Sequence, residues 1–183
     1  MRVRSLIISL FILIIAVSCE TNLEPVPISD FLSLPSSSAE NFTTIMADSG
    51  RIEVIMSAPL MEQWDNNEDP YTEFRKAIRV VYYDKDTIPH GYVTARYGKF
   101  DVNTDTWTLR DSVVVVNEDK DKLETELLNW DQKTDLIYTD RFVKITRPKT
   151  DEIIQGFGFE SDSHLRRQKI KKVSAIIYLE TEE

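Results

Sequence analysis

Cysteine occurs once in this 183-residue chain. That excludes an internal disulfide and any CxxC or Cys/His cluster with metal-ligand spacing. Histidine is almost as scarce. His90 and His164 stand far apart, lack ligand-like neighbours, and read as surface or loop residues. No long stretch holds a 3.6-residue apolar period, so long amphipathic helices are not expected. The apolar run Leu6–Val17 is shorter than the roughly 20 residues a bilayer-crossing helix requires. Basic residues are outnumbered by acidic ones, 22 to 31, for a formal net charge of -9. A surface of that sign repels a phosphate backbone, which argues against nucleic acid as a partner. Loss of residues 1–18, which carry Arg2 and Arg4 and no acid, makes the balance more negative still. With 42% apolar and 29% charged residues, the composition is that of one globular domain.

What is present begins with a short basic segment, Met1–Ser5, followed by an apolar segment and then "AVSC". Basic, apolar and small, in that order, is the pattern of a secretory signal peptide. "AVS" before Cys19 resembles a bacterial lipobox, with Ala16 where leucine is commoner. The expectation is a signal peptide over 1–18 and lipid attachment at Cys19. The alternative is an uncleaved signal anchor with Cys19 merely nearby. Several acyl chains on one cysteine, at about 0.8 kcal/mol per buried CH₂, would hold the protein on a membrane. The proline- and serine-rich stretch 19–41 reads as a flexible tether, and 42–183 as the folded domain.

From about residue 42 the segments "RIEVIMSAP", "AIRVVYYD", "GYVTARYGKF", "DSVVVVNE", "RFVKITRP" and "VSAIIYLE" are rich in Val, Ile, Tyr and Thr. Turn-like clusters such as "DNNEDP", "NTD", "NEDKD" and "PKTDE" separate them. "TEFRKAIRVV" starts like a helical turn before β-branched residues take over. Closely spaced strands with only five glycines predict an all-β sandwich, barrel or open β-roll.

The chain also repeats. A shift of thirty residues lays "KFDVNTDTWTLRDSVVVV" on "NWDQKTDLIYTDRFVKIT", with Asp101 on Asp131, Thr104 on Thr134 and Asp105 on Asp135. The same shift carries Val93, Ala95 and Tyr97 onto Leu123, Thr125 and Leu127, and one more reaches Ile153, Gln155 and Phe157. Such a repeat predicts stacked β layers. Alternation in "RFVKIT" puts Val143 and Ile145 on one side and Lys144 on the other. The repeat extends that phase. The predicted inward rows are Val93, Ala95, Tyr97, Val113, Val115, Leu123, Leu127, Val143, Ile145 and Phe157, with Glu124 and Glu126 outward. Taken alone, such rows are an ordinary core.

Other features have bland readings beside functional ones. Trp64, Trp107 and Trp130 read as packing residues. Gly156 and Gly158 around Phe157 mark either close approach of another chain or a bulge. "LRRQKIKK" is either a cationic rim for lipid phosphates or an acidic partner, or an edge-protecting basic stretch. The aspartates of "NWD" and "YTD" sit where aspartate caps its own backbone, so no catalytic pair and no enzyme is expected.

The stretch from "GYVTARYGKF" through "LETELLNWD" and "IYTDRFVKI" to "IIQGFGFESD" resembles the LptC family of lipopolysaccharide export. The resemblance covers roughly residues 56 to 175. A lipobox in place of a membrane helix is similar to Bacteroidetes-type members. The family often carries glycines before and after the valine-rich strand, where this chain reads "RDSVV" and "NEDKDK", leaving the turn geometry open. The resemblance implies an open, V-shaped, OstA-like β-jellyroll of antiparallel strands, sheltering lipopolysaccharide acyl chains and needing no cofactor or metal. It also implies free edges, here Val173, Ala175 and Ile177. These would pair with inner-membrane ABC-transporter permease subunits and an LptA-like periplasmic bridge protein. The place of action would be the periplasmic side of the inner membrane, reached by a lipid anchor. A closed structural or adhesive β-sandwich and a glycan-acting enzyme are the competing readings. The first would lack the groove, and the second would need convergent carboxylates.

Overall fold

The structure, a computed structural model, describes residues 34–65, 68–84, 86, 88–163 and 165–176. Cys19, the signal segment, tether residues 19–33, His164 and Ile177 lie outside the described residues.

Among the described residues eleven strands run in order: β1 Ser37–Asp48, β2 Arg51–Trp64, β3 Tyr71–Phe74, β4 Ile78–Tyr83, β5 Pro89–Ala95, β6 Tyr97–Asp101, β7 Thr106–Val116, β8 Lys122–Asp131, β9 Leu136–Arg147, β10 Glu152–Ser161 and β11 Lys169–Ile176. All pair antiparallel in one sheet, and β1 and β11 are its edges. β2 pairs with β4 through Val54–Ser57 and with β3 through Glu62–Trp64. β7 likewise pairs with β5 through Val114–Val116 and with β6 through Thr106–Arg110. β3/β4 and β5/β6 are therefore single strands bent near Arg75–Ala77 and Arg96. The neighbouring strands bend at the same level. Register shifts fall between Arg110 and Val113, between Thr125 and Asn129, and between Phe157 and Phe159.

The bends have a local cause. Asn41, Ala77, Asp111, Ser112 and Gly158 all take positive φ, and an extra residue at a bulge kinks a strand and increases its twist. The sheet thus folds across its own strands into two arms that share an interior, the jellyroll arrangement expected. Phe42 of one arm lies 6.0 Å, ring to ring, from Phe74 of the other, and Phe74 stacks on Trp107 at 5.9 Å.

The register aligns the interior into transverse rows. One row runs Thr44, Met56, Val80, Val93, Val115, Leu123, Ile145 and Ile154. Next to the bend, Val113, Thr125, Val143 and Gly156 form another. In the second arm the outermost row is Gln63, Thr72, Phe100, Trp107, Trp130, Ile137 and Ser161.

Two expectations change. β1 begins at Ser37, inside the stretch read as tether. Its small polar start gives little strand signal, and pairing with β2 supplies the order. "TEFRKAIRVV" forms β3, a turn and β4, not a helical turn. The bend at Ala77 (φ 98) interrupts the alternation there.

Candidate functional site

Six of the ten expected inward residues are buried in the shared interior: Ala95, Val113, Val115, Leu123, Val143 and Ile145. Val93 is partly buried against them. Their exposure falls along the row, from half-buried Met56, Val80 and Val93 to 2% at Leu123 and Ile145. The interior is therefore tightly packed under β8 and β9 and looser under β2, β4 and β5.

Tyr97, Leu127 and Phe157 lie on the other face. Tyr97 pairs with Arg110 and Arg110 with Leu127, while the adjacent residues Gly98, Leu109 and Leu128 make up the inner row. β5/β6 and β8 change phase at their bends, so strict alternation continued past Ala95 or Thr125 assigns the wrong face. Phe157 is misplaced because the thirty-residue shift takes Ile153 as inward where the register has Ile154. Phe157 is 55% exposed and meets outward Phe142 edge-on at 5.4 Å. The inward rows read from the sequence omit Leu109, Leu128 and Phe159, which line the second arm together with Trp130. The doublet Leu127-Leu128 at a bend was their only signal.

The outer face of the second arm is laced with cations over rings. Arg110 sits 4.1 Å from the Tyr97 ring centre and Lys99 the same from Tyr71, while Trp64 stacks on Tyr71 at 5.9 Å. Buried Glu73 accepts from Arg75 (2.6 Å) and from the Tyr97 hydroxyl (3.0 Å). Burial, then the bond to Glu73, raises the Tyr97 pKa. Because both cations and rings are engaged, this face is a closed structural surface. At the bend a cavity of about 540 Å³ opens between Asn41, Pro59, Ala77, Arg79, Arg96 and Ser112.

The loop between β10 and β11 crosses to the far end of the first arm. Leu165 is buried in the interior cluster. Gln168 donates to its carbonyl (2.8 Å) and accepts from Arg147 (3.0 Å), which also donates to Glu152 (2.8 Å). The interior is thereby covered at the β9–β10 side.

Val173 and Ala175 sit on the edge strand β11, and Val173 is exposed. Of the basic cluster, Lys171 pairs with Glu160 at 2.8 Å, and Arg166 and Arg167 both approach Asp162 at 3.7 Å. Lys171 holds the Glu160 carboxyl below its ordinary pKa. His90 meets Glu118 at 2.6 Å on the surface. Among the described residues no cluster of three or more metal-ligating side chains occurs.

The repeated aspartates behave as turn caps. Asp101 accepts from the Thr104 amide (2.9 Å) and hydroxyl (2.8 Å), and Asp131 from the Thr134 and Lys133 amides. The Thr104 bonds lower the Asp101 pKa, and the Thr134 hydroxyl, followed by the two amides, lowers that of Asp131. Asp140 instead lies exposed at the β9 bulge beside Arg141.

A family model described as "Lipopolysaccharide-assembly, LptC-related" matches residues 6–178. No curated protein matches the chain.

Proposed function

The chain belongs to the LptC-related family of lipopolysaccharide assembly, and we propose from that premise a non-catalytic relay held on the membrane by Cys19. As a family member it is a component of lipopolysaccharide transport. In the proposed relay, acyl chains received from an inner-membrane ABC transporter occupy the interior between the two arms. They are then passed to a periplasmic jellyroll bridge protein. The energy comes from the transporter, so the protein itself requires neither cofactor nor metal.

The observation that carries this reading is the continuous apolar row from Met56 through Val93 and Val115 to Ile145, shared by strands of one folded sheet. Moving hydrocarbon from water onto such a surface is favourable by roughly 25 cal/mol per Å². Among the described residues, β1 and β11 each pair on one side only and stand at opposite ends of the strand order. An exposed edge is a hazard unless another chain completes it, and strand addition is the economical way to do so. The lipid anchor at Cys19 places the domain, 42–183 with the β1 extension, on the periplasmic side of the inner membrane.

Affinity purification of the full-length protein from its own envelope tests the relay. Co-purification of ABC-transporter permease subunits, together with arrested lipopolysaccharide delivery on depletion, is the expected result. Normal delivery after depletion would favour an adhesive or structural lipoprotein instead.

A further inference from the structure

Among the described residues, the buried interior hydroxyls are satisfied with one exception. Thr125 donates to the Phe142 carbonyl at 2.8 Å, and Thr139 accepts from the Arg141 amide at 3.1 Å. Ser161 is 3% exposed, and its hydroxyl has no hydrogen-bond partner among the described residues. Trp130 is partly buried, but its Nε1 is shielded from solvent and likewise has no partner among the described residues. The two belong to the same inner row, with Ile137 between them in the register. At 4.7–4.9 Å per strand they stand about 10 Å apart, across one wall of the interior. The remaining orphaned atoms, Trp64 Nε1 and Glu62 Oε2, belong to the outer face, where Glu62 has Arg75 at 3.2 Å.

A buried donor without an acceptor is disfavoured, and native structures keep one where something else completes it. We propose that Trp130 and Ser161 form a polar seat in the lipid interior, one that recognises oxygen on an acyl chain. The chemical class is an amphiphile whose acyl chains carry a hydroxyl or a further ester oxygen on the chain itself, beyond the linkage to the head, as lipopolysaccharide chains do. Trp130 N–H donates only, so it requires an acceptor. The Ser161 hydroxyl serves as donor or acceptor and accommodates a chain hydroxyl. A plain hydrocarbon chain fills the same apolar rows but leaves both groups unpaired. The seat therefore discriminates against phospholipid chains along their unsubstituted length. A site built to bond a substrate hydroxyl rejects the analogue lacking it, because its own buried groups are then stranded.

This inference rests on the acyl-chain reading of the interior, and the test separates the two. The full-length protein, with a photo-crosslinker at Val93, is mixed with vesicles containing lipopolysaccharide and phosphatidylethanolamine, and the ratio of captured lipids is measured. Ser161→Ala is expected to lower the lipopolysaccharide preference about two- to tenfold, the effect of one net hydrogen bond. The same variant should leave the melting temperature unchanged or higher, because an unpaired hydroxyl has been removed. Trp130→Phe should lower the ratio similarly. Capture of lipopolysaccharide at an unchanged ratio in both variants would overturn the seat and leave the groove standing. So would a melting temperature in Ser161→Ala lowered by a lost hydrogen bond, which would reveal a resident water as the partner. No capture of lipopolysaccharide from Val93 by the unmodified protein would remove the groove and the seat together.

Discussion

At Gly156 the β11 backbone leaves no room for a side chain on β10. A methyl group on its Cα would lie 2.3 Å from the Lys172 carbonyl oxygen and 2.6 Å from Ile170 Cγ2. An ordinary carbon–oxygen contact is about 3.3 Å or more, so Gly156→Ala requires β11 to retreat by about 1 Å. That shift takes ladder bonds of about 2.9 Å beyond the 3.5 Å at which a hydrogen bond is lost. Overpacking of this kind costs about 1–3 kcal/mol, offset by about 0.4–1 kcal/mol from the less flexible unfolded chain. The net expectation is about 1–2 kcal/mol. For a domain of this size that lowers Tm by roughly 2–8 °C. Circular dichroism melting gives the total, and hydrogen exchange gives the location. Amides of β11 should exchange faster while those of β7 and β8 stay protected. Because β11 is the proposed partner edge, co-purification of its partner should fall as well. An unchanged Tm with undisturbed β11 protection would refute the close approach, and with it the seating of β11 described here.

Interior and outward positions should separate clearly. Ile145→Ala is expected to cost about 2–4 kcal/mol by denaturant titration, whereas Phe157→Ala, at an exposed site, should cost under about 1 kcal/mol. The Asp101 cap makes a pH prediction. Its pKa is lowered from 3.8, first by the Thr104 amide and then by the Thr104 hydroxyl. Its contribution is therefore present above the ordinary value and is lost as pH falls through the lower folded value. Melting curves of Asp101→Ala and the parent should converge at acidic pH. If their separation persisted there, the charge of Asp101 would not be the stabilising feature. Cys19→Ser should move the protein from the membrane pellet to the soluble envelope fraction or leave it unprocessed. Normal processing and retention would exclude the anchor.

Local chemistry was the most legible part of the sequence. The thirty-residue repeat corresponds to two hairpin turns with the same Asp–Thr cap and the same positive φ at Asp105 and Asp135. Facing within a straight segment was equally legible, as at Val113, Val115, Val143 and Ile145. Facing beyond a bend was not. A bulge is defined by the residue count on two paired strands, and a single sequence does not display the pairing. Tyr97 and Leu127 fell on the wrong side for that reason, Phe157 for another. The repeat also slips at β10. Val115 pairs with Leu123 eight residues on, but Ile145 pairs with Ile154, nine on. In this chain the segments before and after the valine-rich strand, which lack glycine, take positive φ at Asp111, Ser112 and Lys120. The polar seat was illegible for another reason. That Ser161 lacks a partner is a property of its surroundings, and nothing in "GFGFES" announces it.

Site-specific photo-crosslinking to lipopolysaccharide during transport tests the central claim most directly. Probes at Val93, Val115 and Ile145 should capture the lipid, and probes at Lys144 or Leu127, on the outer face, should not. Capture confined to the outer positions, with none from the interior row, would contradict the account.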